Sequence, residues 1–372
     1  MRKSTDIIVI GGGVIGCSIA YELAIRGAAV QVFEREQIAG GASGAAAGML
    51  AAQAEFITEA SLLQLALKSR AMFPRLVKEL KSRTGLEVGL IEHGLLRIAR
   101  DSENAAKYSA YAEQQRQLGL IADWLGPGET QELEPSLTGI FTGSLHLPRD
   151  SQVIAPQLTF AYAAAAKSLG AEFREYSEVQ QLLYDGGRIS GVRIRDEVIA
   201  CRQVVVASSI QSSRLLQSAG YDLPLYPVKG ECIAVRPTGP PLRRTIYTDR
   251  CYLVPKANGE LLIGATVKPG RVDSQVRLDG ISTLIDEARQ LIPALDQAEW
   301  LRCWSGLRPQ TQTGLPYMGE HPEIEGLFIA AGHYRNGILL SPITGAIIAD
   351  LIEAKPPAED IADFAVPAII YQ

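Results

Sequence analysis

The residues with the clearest chemical purpose lie near the start of the chain. There Asp6-Ile-Ile-Val-Ile10 runs straight into Gly11, Gly13 and Gly16, spaced as Gly-x-Gly-x-x-Gly. A short β-branched run, apolar on both faces, predicts a buried parallel strand, and the pattern from Val14 to Arg26 predicts a helix that Gly27 ends. Strand, glycine turn and helix N-terminus together offer backbone N–H groups and a positive dipole end to an anion. Gly11 permits the tight turn, Gly13 the close approach of a pyrophosphate, and Gly16 the packing of helix on strand. Ala29-Val-Gln-Val-Phe33 predicts the next strand, and Glu34 at its end suits ribose hydroxyls while repelling a 2′-phosphate. The pattern implies a dinucleotide, with NAD and FAD both open and NADP disfavoured.

Two other segments bear on that choice. Gly40-Gly-Ala-Ser-Gly-Ala-Ala-Ala-Gly-Met-Leu50 lets a backbone come close to an extended planar ligand, although composition alone also fits a flexible linker. Near the C-terminus, Gly332-His-Tyr-Arg-Asn-Gly337 precedes apolar sequence, and N–H groups from Gly337 onward could face a flavin pyrimidine carbonyl, where charge accumulates on reduction.

Around these segments the periodicity predicts amphipathic helices at 59–72 and 75–84, the second started by Pro74, and an exposed helix over 101–118. Strand patterns occupy 91–100 and 141–147, and Ala155 to Ser168 forms a strong helix signal closed by Gly170. Asp185-Gly-Gly187 and Asn258-Gly259 predict two hairpins. Val204–Ala207 and Leu327–Ala331 are further strands, and a last helix is predicted from Ser341 to Glu353 with Ser341 as N-cap and Pro342 first. Strand-helix pieces at both ends with hairpin-rich sequence between them imply a nucleotide domain that the chain leaves and re-enters.

Composition narrows the function. The 372 residues suit two domains, and 36 basic against 41 acidic residues give a net charge of −5, with no footprint for nucleic acid or an anionic membrane. Five scattered cysteines without a C-x-x-C pair read as free thiols in a reducing cytoplasm. Arg2 and Lys3 ahead of an uncharged stretch imitate a signal peptide, but Gly11-Gly-Gly13 would break its apolar region, so a soluble protein is expected. His93 and His333 have no ligand-spaced partners, so no metal is expected.

With these segments in place, the chain resembles the FAD-dependent D-amino-acid oxidase family, and within it the bacterial members that oxidise glycine for thiamine-thiazole synthesis. The glycine motif with Glu34, Ala45–Leu50, Pro227-Val-Lys-Gly-Glu231, Cys251-Tyr-Leu-Val-Pro255, Gly264-Ala-Thr266, Trp304-Ser-Gly-Leu-Arg-Pro309 and Gly332–Leu340 carry the resemblance over nearly the whole length. It implies an α/β fold, with a Rossmann-like FAD-binding domain over 1–84, 148–222 and 312–372. A second, mainly antiparallel-sheet substrate domain takes 85–147 and 223–311.

It further implies non-covalent FAD held by Gly11, Gly13, Val14, Ile15 and Gly16, by Glu34 and Arg35, by Ala42, Ser43, Ala47, Gly48 and Met49, and by a backbone contact from Val179. His333, Tyr334, Arg335, Asn336, Gly337, Ile338 and Leu339 would cover the ring. Arg308 would anchor the substrate carboxylate, Tyr252 would donate a phenolic hydrogen bond, and Arg335 would lie beside flavin and substrate. The implied reaction is hydride transfer from the amino-acid Cα to flavin N5, with dioxygen reoxidising the flavin. A 2-oxo acid (glyoxylate from glycine), ammonium and hydrogen peroxide result, in a homo-oligomer that by resemblance is a tetramer.

Some positions depart from the family pattern. Arg250 replaces a histidine and Val267 a methionine, implying a wider cavity with a charge at its mouth, while Ser209 and Gln211 replace a glycine and a tryptophan. The alternatives are a D-amino-acid or sarcosine dehydrogenase passing electrons to a carrier, and a nucleotide-binding protein with a vestigial site.

Overall fold

The computed structural model describes residues 5–55 and 60–368. Arg2, Lys3 and the expected helix start at 59 lie outside them. The β-branched runs do form the centre of a six-stranded sheet. In spatial order its strands are Tyr317–Glu320, Leu327–Ala331, Gln203–Val206, Ile7–Ile10, Val30–Phe33 and Glu172–Arg174, parallel except for the first pair. Ile7–Ile10 is buried along its length because both faces are covered. One face carries the helices Val14–Ile25, Ala60–Thr84, Ala155–Ser168 and Gly337–Ile352. The other carries a three-stranded sheet of Gln181–Asp185, Arg188–Ile194 and Glu197–Ala200. The chain runs outward from Ile7–Ile10 in both directions, so a crevice opens at the carboxyl end of that strand, beside Gly11.

A second sheet of nine strands is built from Leu95–Ala99, Asp123–Leu125, Gly143–Leu147, Leu225–Arg236, Thr245–Tyr247, Tyr252–Pro255, Leu261–Gly264, Lys268–Pro269 and Glu299–Thr311. It is antiparallel except where Thr245–Tyr247 runs parallel to Leu95–Ala99. Its two longest strands, Leu225–Arg236 and Glu299–Thr311, pair along their full length.

Two helix assignments differ from the sequence reading. Pro74 starts nothing: Ala60–Thr84 is one helix with the proline inside it. Leu62, Leu65, Ala66, Ser69, Phe73, Leu76 and Leu80 form one continuous buried stripe. At about 1.5–3 kcal/mol for each fully buried large side chain, their packing outweighs the ~3 kcal/mol that an interior proline costs. The last helix begins at Gly337, four residues before Ser341, so Ser341 is not its cap. Pro342 cannot donate to the Ile338 carbonyl, and the Ser341 hydroxyl does so instead at 2.9 Å. The 101–118 helix, observed as Ser102–Gln117, is exposed on one face only, since Tyr108, Tyr111, Ala112 and Gln115 are buried.

Candidate active site

The glycine turn is dictated by space. A Cβ at Gly11, whose φ is +118°, would lie 2.5 Å from the Ala207 carbonyl oxygen, and one at Gly16 would lie 2.0 Å from the Gly11 carbonyl oxygen. Both positions are closed by protein. Gly13 is less tightly closed: the nearest atom to its Cβ would be the Ser43 hydroxyl at 3.2 Å, a side chain rather than backbone. Ser43 accepts the Val14 N–H at 2.9 Å. The other first-turn N–H groups have no intrahelical acceptor, as at any helix start. Glu34 is oriented by the Gly12 N–H on one carboxylate oxygen at 2.7 Å and the Glu36 N–H on the other at 2.9 Å. Arg35 is exposed and pairs with Glu36, and Val179 is buried beside Ile10 and Phe33.

The small-residue run borders a cleft that is open to solvent. The run is no loose linker. Ala42–Ala45 is a helical turn and Met49–Leu50 pairs with Ser151–Gln152. Gly48 (φ +81°) lies so near the Val153 carbonyl that no Cβ would fit. Ala42, Ala47, Gly48 and Met49 line the cleft on one side, with Tyr334, Arg335, Asn336 and Ile338, while Tyr252 and Arg308 line it from the nine-stranded sheet. Leu339, Val14 and Ile15 bury their side chains in the core, which leaves them only backbone contacts to offer. His333 also turns inward, its Nε2 at 3.0 Å from the Thr344 hydroxyl, and burial pushes its imidazole down to about 3, so it stays neutral.

Arg308 is half-buried on Glu299–Thr311 and has no carboxylate partner among the described residues. Its Nη1 donates only to the Thr266 carbonyl, at 3.4 Å. Gly230 makes room for it, since a Cβ there would lie 2.3 Å from Nη1. Tyr252 is buried with its hydroxyl 3.6 Å from Cys232 Sγ, and burial pushes both groups' pKa up, keeping them protonated. Arg335 lines the cleft as well, with a partner that the sequence reading did not name. Its Nε and Nη2 hold the two oxygens of Glu55 at 2.9 and 2.8 Å, and Nη2 also donates to the Tyr247 hydroxyl at 2.6 Å. It lines the cleft but is already paired.

Burial pushes the Glu55 carboxyl up, but the Arg335 charge and the hydrogen bonds from Arg335 and Tyr247 prevail and hold it below the usual range. Neither Glu55 nor Tyr247 stands out in the sequence. The one cue is that Glu55 is the first charged residue after the uncharged run from Gln37 to Ala54. Arg250 and Val267, expected at the cavity, do not line it. Arg250 is exposed and pairs with Glu287 at 3.1 Å, and Val267 is half exposed.

The model of the FAD dependent oxidoreductase family matches residues 6–351. The chain belongs to that family. FAD suits what is present: helix N-terminal N–H groups beside Gly13, an oriented acid at Glu34, and a cleft bordered by Ala42, Ala47, Gly48 and Met49 of the small-residue run. Among relatives of this FAD-dependent oxidoreductase, the glycine oxidase of Geobacillus kaustophilus is 47% identical over 98% of this chain and 97% of its own. The crystal structure of glycine oxidase from that organism superposes with a TM-score of 0.96 over 99% of this chain and 100% of that one, at 46% identity. The bifunctional protein ThiO/ThiG of Trichormus variabilis is 35% identical over 93% of this chain, which spans about half (52%) of that protein.

Proposed function

We propose that the chain is an FAD-dependent oxidase of glycine and other small amines, sarcosine and small D-amino acids among them. Its products would be the 2-oxo acid, ammonium and hydrogen peroxide. The observation that carries this reading is Arg308, a cleft guanidinium without a carboxylate partner among the described residues, lining the same cleft as the Ala47–Met49 run. Its planar fork suits a substrate carboxylate bidentately, and each such charge-assisted bond contributes about 1.5–3 kcal/mol. FAD, when bound, supplies the two-electron acceptor that takes hydride from the amine-bearing carbon and hands the electrons to dioxygen.

The side chains set position and charge. Arg308 pins the carboxylate, the protonated Tyr252 hydroxyl donates a further hydrogen bond, and together they fix which hydrogen of the adjoining carbon faces the groove. Glu55 is held ionised, and Cys232 and Tyr252 are held protonated. Among the described residues the lining thus offers no group poised to take a proton near neutrality. The groove from Gly13 to Met49 holds the cofactor through backbone groups, with Glu34 at its ribose end. A division into a FAD-binding part (1–84, 148–222, 312–372) and a substrate part (85–147, 223–311) accords with the two large sheets. We further assign a cytoplasmic, tetrameric enzyme supplying dehydroglycine for thiamine-thiazole synthesis; all five cysteines are free thiols. Among the described residues, the one helical stretch apolar and long enough to cross a membrane, Tyr334–Ile352, is mostly buried.

Anaerobic mixing of the FAD-loaded protein with glycine, sarcosine and D-alanine tests the reading. Bleaching of the flavin absorbance, then peroxide on admitting air, is expected. Bleaching that persists in air would point to a dehydrogenase using a carrier, and no bleaching would remove the amine-oxidising reading.

A further inference from the structure

Arg308 and Arg335 both line the cleft, and of the two only Arg308 lacks a carboxylate partner among the described residues. The Arg335 fork is filled by both oxygens of Glu55, whereas Arg308 has only the long bond to the Thr266 carbonyl. Arg335 and Glu55 cancel, which leaves one positive charge for the substrate. Glu55 is fixed from behind. The preceding residues Gln53 and Ala54 donate backbone N–H groups to Asp150 at 3.2 and 3.0 Å, and the Ala54 carbonyl accepts from Arg97 at 2.9 Å. These bonds fix the backbone from which the Glu55 side chain projects, and Arg335 and Tyr247 hold its carboxylate. A second carboxylate entering the cleft would meet the Glu55 charge, or displace Glu55 and leave it half-buried without a partner, and either costs binding energy.

We propose that Glu55 is a specificity-determining residue that, by filling the Arg335 fork, limits the cleft to substrates with one carboxylate and turns away dicarboxylic amines. The proposal rests on the amino-acid-oxidising reading for its substrates, but anion binding alone tests it. Propionate and malonate, of equal carbon number, are titrated into FAD-loaded protein and read by perturbation of the flavin spectrum. Wild type is expected to bind propionate at least tenfold tighter than malonate. Glu55→Gln should reverse or erase that preference, and Glu55→Asp should retain it. In turnover, the kcat/KM ratio of iminodiacetate or D-aspartate to glycine should rise at least tenfold in Glu55→Gln, mainly through KM.

A Glu55 that merely braces Arg335 would weaken both anions alike and leave the ratio unmoved, which overturns the proposal. If Glu55→Gln fails to hold FAD, the wild-type titration decides, because equal affinity for the two anions also overturns it. Protein that discriminates the anions but oxidises no amine would uphold the proposal while removing the catalytic reading.

Discussion

Replacing Arg308 by methionine removes the fork while keeping most of the side-chain length. The structure makes this an unusually clean perturbation. Arg308 has no carboxylate partner among the described residues, so its loss strands no buried charge, and the only hydrogen bond forfeited is the 3.4 Å contact to Thr266. Stability should therefore change by under about 1 kcal/mol. Losing even one of the two charge-assisted bonds to a substrate carboxylate costs about 1.5–3 kcal/mol, so at ~1.4 kcal/mol per decade KM should rise by at least roughly 10- to 150-fold. Because the same bonds aim the reacting carbon, kcat should fall as well, and Arg308→Lys, which keeps a point charge without the planar fork, should recover only part of KM. The assay is peroxide release across a glycine titration, with a flavin spectrum and a thermal melt on each variant. A variant that keeps FAD and melts normally but shows KM within twofold of wild type would refute the anchoring role.

The last and middle glycines of the motif should separate. Gly16→Ala should abolish folding or FAD binding because its Cβ meets a carbonyl at 2.0 Å, whereas Gly13→Ala should melt near wild type and lose FAD affinity alone; equal melting losses would contradict this. Ser209 holds a left-handed φ of +57°, which costs a non-glycine residue roughly 1–2 kcal/mol, so Ser209→Gly should raise the melting temperature despite its entropic cost. A lower melting temperature would show that the serine side chain is needed there. Lys256 donates to the Ala47 and Val153 carbonyls and to Gln152, and burial pushes it down to about 7. As pH falls from about 10.5, the unfolded chain binds the proton first, so stability drops by up to ~1.4 kcal/mol per unit until about pH 7. Lys256→Met should flatten that slope in denaturant midpoints measured from pH 7 to 10, and an unchanged slope would exclude the assignment.

The nucleotide end of the groove was legible because its chemistry is local. Within 34 residues the strand, the three glycines and the acid impose their own geometry through backbone clashes and helix-end donors. The hairpins at Gly186 and Gly259 were legible for the same reason. What escaped depends on distant partners. Glu55 meets Tyr247 across 192 positions and Arg335 across 280, and no periodicity encodes such a meeting. The two prolines misled because a rule for isolated helices puts proline in the first turn. In Ala60–Thr84 a long buried stripe overrode it, and in Gly337–Ile352 the Ser341 hydroxyl took over the freed carbonyl. Arg250 was misread at the cavity because Glu287, on another element, draws it outward.

The indole of Trp304 donates to the Ala45 carbonyl at 3.0 Å, and Gly306 is pressed so near Ala45 that a Cβ would come within 2.6 Å of its methyl. Arg308 stands two positions further along the same strand. The wall that cradles the cofactor and the rod that carries the anchor are thus riveted together and cannot part like a jaw. Diversification toward bulkier amines would then have to proceed by trimming side chains around the rim, with the spacing between anchor and cofactor wall inherited unchanged.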